Sequence, residues 1–316
     1  MNIINIIDLH CDTLYKAATQ GISLCGNEVE VRLSRDKTTH KLQCYAIWLP
    51  DDLSEKQAED LFFKSAKLLE EECRQNNIFL IKNNYSPTKA LNENQNSAFF
   101  TVENAKALNG KLENISRFKE LGVKMMTLTW NAANKIGGGA DAASNAGLTD
   151  FGKRAVAKME KDGIIIDISH ASQALFYDVA ENTNLPFVAS HSNSYKITSH
   201  RRNLTDEQFS VIRNRKGLVG LNFHNEFLNN NSQNAGMTDI LRHAEHFLSL
   251  GGEDILCFGS DFDGCTLPKN INNSEDFAKI YELFLANNYS ESLIRKIFYE
   301  NALNFFENFD NPQNMV

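Results

Sequence analysis

Short apolar runs recur eight times along the chain, and a longer amphipathic or polar stretch separates each run from the next. Each run is four to eight residues long, the usual length of a strand buried in a parallel sheet. The predicted strands cover residues 3–9, 42–49, 98–102, 123–128, 164–168, 186–189, 218–222 and 255–258. This alternation predicts parallel strands joined by helices or loops.

Helical patterns occupy most of the intervening stretches. Four hydroxyl residues stand directly before such patterns, where N-caps are expected: Ser54, Thr149, Ser172 and Thr205. Gln208, three residues after Thr205, completes a capping-box pattern. Further helices are predicted over residues 237–250, 274–286 and 290–306. Eight strands that alternate with helices predict an α/β fold, a closed (β/α)₈ TIM barrel, and residues 1–316 are expected to form a single barrel domain.

Composition and charge narrow the class of protein. The 316 residues carry a formal net charge of −8 with no basic cluster, which argues against a nucleic-acid partner. None of the six cysteines forms a C-x-x-C pair, so reduced thiols in a reducing compartment are expected. No stretch approaches about 18 apolar residues and the first residues lack a basic segment, so we expect no membrane partner and a cytoplasmic location.

The residues that follow the predicted strands carry the candidate chemistry. In a barrel of this kind, catalytic side chains come from the carboxyl ends of the strands. Side chains that commonly bind metals or transfer protons follow five of the eight predicted strands: His10, Asp12, Glu103, His170, His191, Asp261 and Asp263. Their joint occurrence at strand ends favours a metal-dependent active site.

Spacing and ligand chemistry give several of these residues a common interpretation. His10 and Asp12 are two residues apart in an extended segment, so both face one side and Cys11 faces the packing on the other. Imidazole nitrogen and carboxylate oxygen are normal zinc donors. Glu103, which has two carboxylate oxygens, is the natural bridge between two ions about 3.5–4 Å apart.

Each of these residues alone has a structural alternative. A single histidine at a strand end is more often a hydrogen-bonded structural residue, and Asp261 or Asp263 could serve as an N-cap or loop carboxylate. Residues 137–139, all glycine, could cradle an anion, although their spacing favours a flexible loop at the lip of the site. The number of ligand-type residues favours the metal interpretation.

Seven motifs, in order along nearly the whole chain, carry a more specific resemblance. They are DLHCDT from Asp8, MTLT from Met126, GLT from Gly147, DISHAS from Asp167, SHS from Ser190, RRN from Arg201 and GSDFDG from Gly259. Together they resemble the membrane (renal) dipeptidase family, peptidase family M19 of the amidohydrolase superfamily. The resemblance implies a metal-dependent hydrolase barrel that cuts small dipeptides and tolerates a D-residue at the C-terminal position.

The resemblance also implies a role for each matching residue. A hydroxide that bridges two zinc ions would attack the peptide bond, and five residues would hold the ions: His10, Asp12, Glu103, His170 and His191. The first two would bind one zinc, the last two the other, and the glutamate both. Asp261 would carry the proton to the leaving amine, and Arg202 would bind the carboxylate of the substrate, with Arg201 as a structural neighbour. Dimers are common in the family, so a homodimer is the expectation.

Two positions depart from the family pattern. Mammalian members carry a histidine directly after the Thr-Leu-Thr run, where this chain has Trp130, and a tryptophan neither ligates zinc nor transfers a proton. Trp130 is therefore expected to wall the substrate pocket. Relatives often have a tyrosine after the seventh strand, where this chain has His224, which either faces the pocket or is a plain loop residue.

Other functions remain open at this stage. Deaminases, lactonases and phosphotriesterases on barrels often bridge two metals with a carboxylated lysine at the end of strand four, but Lys124 lies at the start of that strand. An N-acyl-D-amino acid amidohydrolase remains the alternative, because a bridging glutamate does not determine the substrate. A barrel that only binds a small molecule is disfavoured, since none of the expected ligands is missing.

Overall fold

Parallel strands form the centre of the fold. The computed structural model describes residues 4–32, 39–82, 86–92, 96–142 and 146–309. The strands are β1 (Ile4–Cys11), β2 (Thr39–Trp48), β3 (Phe79–Leu80), β4 (Ser97–Glu103), β5 (Val123–Thr127), β6 (Ile165–Asp167), β7 (Val219–Leu221) and β8 (Leu256–Phe258). Their order is β6–β5–β4–β2–β1–β8–β7, with the short β3 beside β4, and each neighbouring pair is parallel.

The segment after Pro186 closes the gap between β6 and β7. Val188 forms a parallel bridge with Asp167 of β6, and Ala189 forms one with Val219 of β7. The ring of eight is thereby complete, as the predicted barrel requires. A regular strand over residues 186–189 is nevertheless wrong, because proline has no N–H to donate and both neighbouring strands are only three residues long.

Helices follow most of the strands. Their bounds are α1 (Thr13–Gln20), α2 (Glu55–Gln75), α3 (Pro87–Asn92), α4 (Glu113–Glu120), α5 (Asp150–Asp162), α6 (Gln173–Asn182), α7 (Asp206–Asn214), α8 (Asn225–Leu228), α9 (Met237–Ser249), α10 (Phe277–Ala286), α11 (Glu291–Arg295) and α12 (Asn301–Phe309). The four predicted N-caps are confirmed, since each side chain accepts a backbone hydrogen bond from the first turn. Within the described ranges, no helix has both the length and the apolar character needed to cross a membrane.

The helices near the C-terminus differ from the predicted ones. Residues 274–276 form a 3₁₀ turn before α10, and a π-helical turn (Lys296–Glu300) separates α11 from α12. Asn301, directly after this turn, donates to the carbonyl oxygens of Glu253 and Leu256. The π-helical turn thus brings the side chain of Asn301 to the start of β8. The prediction of one regular α-helix over residues 290–306 is wrong at residues 296–300.

Two apolar clusters hold strands and helices together. The larger lies between the strands and the surrounding helices and contains the stacked rings of Phe62 and Phe118, whose centroids are 3.7 Å apart. The smaller cluster joins the strands to α12, where the ring centroid of Phe306 lies 4.8 Å from that of Phe99 in β4. Apolar packing therefore covers the amino end of β4, and the polar residues of the ring gather at the carboxyl ends.

Two glycines make room for the carbonyl group of Ser190, the residue that follows the closing segment. Gly220 lies in β7 and Gly259 directly after β8. A Cβ atom at Gly220 would stand 1.9 Å from the carbonyl oxygen of Ser190, and one at Gly259 would stand 1.7 Å from it. Any other residue at either position would push the strands apart at the end where the candidate site lies.

We expect Gly220→Ala to lower the free energy of unfolding by about 3 kcal/mol or more, because a backbone carbonyl cannot move aside as a flexible side chain can. Urea denaturation measures this change. Gly236→Ala is the matched control, since a Cβ there meets nothing within 4 Å, and it should cost only about 1 kcal/mol or less, the loss expected for alanine at the N-cap of α9. Equal stability of the two variants would contradict the close contact.

Candidate metal centre

Six of the predicted site residues converge at the carboxyl ends of the strands. All six are buried: His10, Asp12, Glu103, His170, His191 and Asp261. Two of them end or nearly end a strand, and the other four lie on the loops that directly follow strands or the closing segment. Residues distant in sequence therefore meet because parallel strands of a barrel all end on one face.

His10 stands at the centre of one half of this cluster. Its Nε2 atom lies 3.5 Å from Oδ2 of Asp12 and 3.9 Å from Oδ1 of Asp261. The same atom is 3.6 Å from Oε2 of Glu103. Nε2 of His10 and Oδ1 of Asp12 are buried and have no hydrogen-bond partner among the described residues, which fits atoms that bind a metal ion.

Two further histidines form the other half. Oε1 of Glu103 lies 2.8 Å from Nε2 of His170 and 3.7 Å from Nε2 of His191. The two Nε2 atoms are 3.0 Å apart. Since the other oxygen of Glu103 faces His10, this carboxylate lies between the two halves, as a bridging ligand must.

The hydrogen bond behind His170 determines which ring nitrogen carries the proton. Nδ1 of His170 lies 2.8 Å from Oδ1 of Asn131, and an amide oxygen can only accept, so the proton is on Nδ1. Nε2 of His170 therefore presents a lone pair to Glu103 and to Nε2 of His191. Electron-rich atoms at these distances repel one another unless a cation lies between them, so the donor set fits a metal ion.

The protein's own charges shift the pKa values of this cluster strongly. Burial raises the pKa of Glu103 well above its usual range, and the charge of Asp12 adds to the rise. Burial lowers the pKa of His10, but the charges of Glu103 and Asp12 outweigh it and raise that pKa to about 10. Burial likewise raises the pKa of Asp261 to about 7. The cluster concentrates negative charge that a multivalent cation would neutralise.

Asp167, the last residue of β6, holds the backbone around two of the histidines. Its Oδ1 accepts from the backbone N–H groups of Ser169 at 3.0 Å and Ser190 at 2.9 Å. Its Oδ2 accepts from the hydroxyls of Thr127 at 2.5 Å and Ser190 at 2.6 Å. The Ser190 hydroxyl also lies 2.8 Å from Nδ1 of His191. A carboxylate behind a metal-binding histidine in this way fixes the orientation of the ring.

The same arrangement recurs between β1 and β8. Asp8 accepts from the N–H of Ser260 at 2.8 Å and from its hydroxyl at 2.6 Å. Ser260 directly precedes Asp261, just as Ser190 directly precedes His191. Each half of the cluster is thus held by one buried carboxylate and one serine of a neighbouring strand end.

Asn222 fixes the orientation of Asp261. Its Nδ2 donates to Oδ2 of Asp261 at 2.9 Å, while Asn193 exchanges two hydrogen bonds with the backbone of Asn222 at 2.9 and 3.0 Å. Asp261 and His170 both have a left-handed backbone, with φ of 65° and 69°. This conformation costs about 1–3 kcal/mol at each residue, which the surrounding hydrogen bonds must offset.

A cavity of about 320 Å³ opens beside the cluster, and part of its wall is aromatic. The rings of Tyr15 and Trp48 lie 4.7 Å apart between centroids, and those of Trp48 and Trp130 lie 4.9 Å apart. Trp130 also lies 6.1 Å from the ring of His170. The tryptophan at the position of the family histidine therefore stands beside the candidate ligands and lines the cavity.

Arg202 forms another part of the wall, with 6% of its surface exposed. Its Nε and Nη2 atoms have no hydrogen-bond partner among the described residues. These two N–H groups point in one direction and form the planar fork that binds a carboxylate side-on. Burial lowers the pKa of Arg202 to about 10, so the group stays charged at neutral pH. The more exposed Arg201 instead pairs with Asp141.

Asp263 has a structural role. Its carboxylate accepts from the hydroxyl of Thr13 at 2.6 Å, from Nζ of Lys16 at 2.8 Å and from the backbone N–H of Glu30 at 3.0 Å. These bonds tie the loop after β8 to α1, so the loop interpretation of this residue is the one that the contacts support.

The expected flexible glycine loop is wrong. Residues 137–139 are buried. A Cβ at Gly139 would stand 2.2 Å from the carbonyl oxygen of Trp130. Gly139 therefore packs against the segment that carries Trp130 and the asparagine behind His170, whereas Gly138 packs against Ala146.

Several residues of the site were absent from the sequence-based prediction. Asn222 follows β7 and Trp48 ends β2. Both could have been predicted, because active-site side chains of a barrel come from the carboxyl ends of its strands. Tyr15 lies one helical turn after Asp12, on the same face of α1. Asn131 gives no comparable signal, because only the folded backbone shows that it stands behind a histidine.

The sequence profile of the family described as membrane dipeptidase, peptidase family M19, matches residues 1–315. The chain belongs to this family. It is a metallo-dipeptidase by membership, as the ordered motifs predicted, and the observed barrel is the fold of its relatives.

Three individual proteins illustrate what this chain is similar to. A curated Klebsiella pneumoniae protein, known only as an uncharacterised protein in the pqqA 5′ region, is 31% identical over 216 residues, which cover 66% of this chain and 80% of that protein. A metallo peptidase from Rhodobacter sphaeroides, solved with a phosphinate mimic of the dipeptide L-Ala-D-Ala, is 26% identical with a TM-score of 0.89, over 97% of this chain and 99% of that one. Dipeptidase AC, also of family M19, is 27% identical with the same TM-score and coverage.

Glu103→Gln should lower the amount of zinc bound per chain, because a neutral amide is a weaker ligand for dications than a carboxylate. Elemental analysis of purified, metal-replete protein measures this. Cys11→Ala is the control, since the Cys11 thiol is buried and donates to the carbonyl of Cys44, away from the cluster. Loss of zinc from the cysteine variant, or full occupancy in the glutamine variant, would contradict the bridging position.

Asp167→Asn should weaken zinc binding by about 10–100-fold while Asp162→Asn on α5 leaves it unchanged. The amide at residue 167 would turn an N–H₂ group toward donors that now bond to a carboxylate. Competition with a zinc chelator measures the affinity, and thermal unfolding shows whether the variant remains folded. A folded variant with unchanged zinc affinity would show that the Asp167 bonds do not orient His191.

Proposed function

We propose that this protein hydrolyses the peptide bond of free dipeptides and uses two zinc ions per chain. The observation that carries the proposal is the position of Arg202, which lines the same small cavity as Glu103, His170 and Asp261 and whose Nε and Nη2 have no hydrogen-bond partner among the described residues. A metal centre beside one carboxylate receptor matches a substrate with one peptide bond and a free C-terminus.

The donor set divides naturally between the two ions. His10 and Asp12 would hold one ion, His170 and His191 the other, and Glu103 would contribute one oxygen to each. Zinc ions held by these residues would lower the pKa of a bound water toward neutrality and polarise the peptide carbonyl. The protein contributes the fixed positions of these ligands and a cavity that admits a short substrate.

Asp261 is the residue proposed to move the proton. Oδ1 faces the cluster and lies 3.9 Å from Nε2 of His10, while Oδ2 is held by Asn222. One oxygen is therefore free to take the proton of the attacking water and then give it to the departing amine nitrogen. The hydrogen bond from Asn222 keeps the carboxylate from turning away between these two transfers.

Arg202 is proposed to bind the C-terminal carboxylate of the dipeptide. Because Arg202 lines the same small cavity as the cluster, we expect a carboxylate bound there to lie one residue from the scissile bond. A longer peptide would place a neutral peptide bond at Arg202 instead of the C-terminal carboxylate, and the guanidinium would remain unpaired. This geometry favours dipeptides over longer chains.

A D-residue at the second position is part of the proposal. The Rhodobacter sphaeroides relative was solved with a phosphinate mimic of L-Ala-D-Ala, and its fold superimposes on nearly all of this chain. We therefore include L-Xaa-D-Xaa dipeptides among the substrates. N-acyl-D-amino acids share the free carboxylate but lack the first amino group, so they form the control class in a substrate panel.

Arg202→Ala should lower kcat/KM on free dipeptides by about 30-fold or more, because a desolvated carboxylate is left without its partner. The same variant should hardly change hydrolysis of the dipeptide amidated at its C-terminus, and its zinc content should stay intact. Arg201→Ala, which breaks the pair with Asp141, should cost less.

Steady-state kinetics on the free and amidated dipeptides test whether Arg202 binds the C-terminal carboxylate of the substrate. The carboxylate assignment fails if Arg202→Ala loses both substrates equally with its metals retained. It also fails if the wild type cuts the amide as well as the free acid. Preference for N-acyl-D-amino acids over every dipeptide would favour the amidohydrolase alternative.

A further inference from the structure

One carboxylate at the Arg202 end of the cavity is left without a partner. Glu226 lies on α8, directly before Phe227, and both residues line the cavity together with Arg202. The Glu226 side chain is exposed, and within the described part of the chain it forms no hydrogen bond or ion pair. Exposed acidic side chains are common, so the position of this one relative to Arg202 decides whether it can act on a substrate.

Contacts between neighbouring residues hold the segment of Glu226 beside that of Arg202. Nδ2 of Asn203, the residue after Arg202, donates to the backbone carbonyl of Phe227 at 2.9 Å. Cζ of Arg202 lies 5.5 Å from the ring centroid of Phe227. Glu226 is therefore held near the guanidinium, although no ion pair joins these two described residues.

The charge of Glu226 acts on two rings of the cavity wall. Burial lowers the pKa of His224, and the charge of Glu226 is the strongest influence that opposes this decrease. Burial and the charges of Arg202 and Arg201 lower the pKa of His200, and Glu226 again opposes the decrease. Both histidines line the cavity, and their lowered pKa values leave them neutral at pH 7. The carboxylate thus lies close enough to this wall to act on a charge bound in the cavity.

The other acidic residues that line the cavity are already engaged. Asp141 pairs with Arg201, and the carboxylate of Asp263 is tied to α1. Three further acids belong to the proposed metal centre: Asp12, Glu103 and Asp261. In the proposed function, the terminal carboxylate of the substrate neutralises Arg202. Among the described residues of the wall, Glu226 then carries the charge that remains unpaired.

We propose that Glu226 makes the enzyme prefer dipeptides whose second residue has a cationic side chain: lysine, ornithine or arginine. This inference rests on the proposed dipeptidase function. Arg202 binds the carboxylate of the second residue, and the side chain of that residue branches from the same Cα atom. A long cationic side chain can therefore reach a carboxylate on the neighbouring segment, whereas an acidic side chain meets an unpaired like charge.

The test compares dipeptides that differ in the charge of the second side chain. Ala-Lys and Ala-norleucine share an unbranched chain and differ in the terminal ammonium, and Ala-Gln and Ala-Glu are matched in shape. Each is assayed with the second residue in the L- and the D-configuration.

The expected preference is moderate because Glu226 is exposed to solvent. At low salt and in the preferred configuration, kcat/KM for Ala-Lys should exceed that for Ala-norleucine by about three- to fivefold, and Ala-Gln should exceed Ala-Glu by a similar factor. Sodium chloride at about 0.5 M should reduce both ratios, since salt screens exposed charges.

Two substitutions link the preference to Glu226. Glu226→Gln removes the charge at almost unchanged size and should bring both ratios close to one. Glu226→Lys reverses the charge, so that Ala-Glu should become a better substrate than Ala-Gln. Glu181→Lys is the matched control, because Glu181 is an exposed glutamate on α6 and is not among the described residues that line the cavity. This control changes the net charge equally and should keep the wild-type ratios.

The outcomes separate this inference from the proposed function. Equal kcat/KM for Ala-Lys and Ala-norleucine, or wild-type ratios in Glu226→Gln, overturns the preference and leaves the dipeptidase standing. Loss of all dipeptides by one common factor in Glu226→Gln overturns it as well, because Glu226 would then bind the amino group that they share. Equal shifts in Glu181→Lys and Glu226→Lys overturn it in favour of net charge. Absence of hydrolysis for all dipeptides with zinc fully bound overturns the proposed function itself.

Discussion

The burial of several carboxylates and imidazoles at one point is the constraint on which the rest of the structure depends. Charged groups taken out of water destabilise a fold unless nearby charges compensate them. Glu103 is almost fully buried with Asp12 and Asp261 in the same cluster, and its pKa rises accordingly. The chain belongs to a metallopeptidase family, and metal ions at this cluster, as we propose, would supply the missing positive charge.

The same hydrogen-bonding arrangement occurs twice in the barrel and positions residues of the cluster. Asp8 accepts hydrogen bonds from the backbone N–H and the hydroxyl of Ser260, and Asp167 accepts the same two bonds from Ser190. Each serine directly precedes a residue of the cluster. Gly220 and its counterpart after β8 let the backbone at Ser190 come close enough for this packing. Strand geometry, glycine placement and ligand orientation are therefore parts of one arrangement.

Much of this could be predicted from the sequence because it depends on local patterns. Apolar runs predicted the strands, hydroxyl residues before helices predicted the caps, and the strand-end rule brought His10 and Glu103 to one face. The sequence could not show that the segment after Pro186 joins its neighbours by single bridges, or that a π-helical turn carries Asn301 to β8. These features, like the asparagine behind His170, depend on contacts between segments that only the packed barrel brings together.

The pairing of β1 with β8 has a consequence for the synthesis of the protein. β1 lies in the ring beside β8, although it is made much earlier, and the hydrogen bond between Asp8 and Ser260 spans 252 positions. A nascent chain cannot assemble the cluster until β8 and Asp261 have been made, although the other residues of the cluster emerge much earlier. Peptide hydrolysis thus cannot begin on a partly translated chain, and the enzyme becomes competent only when its ring is closed.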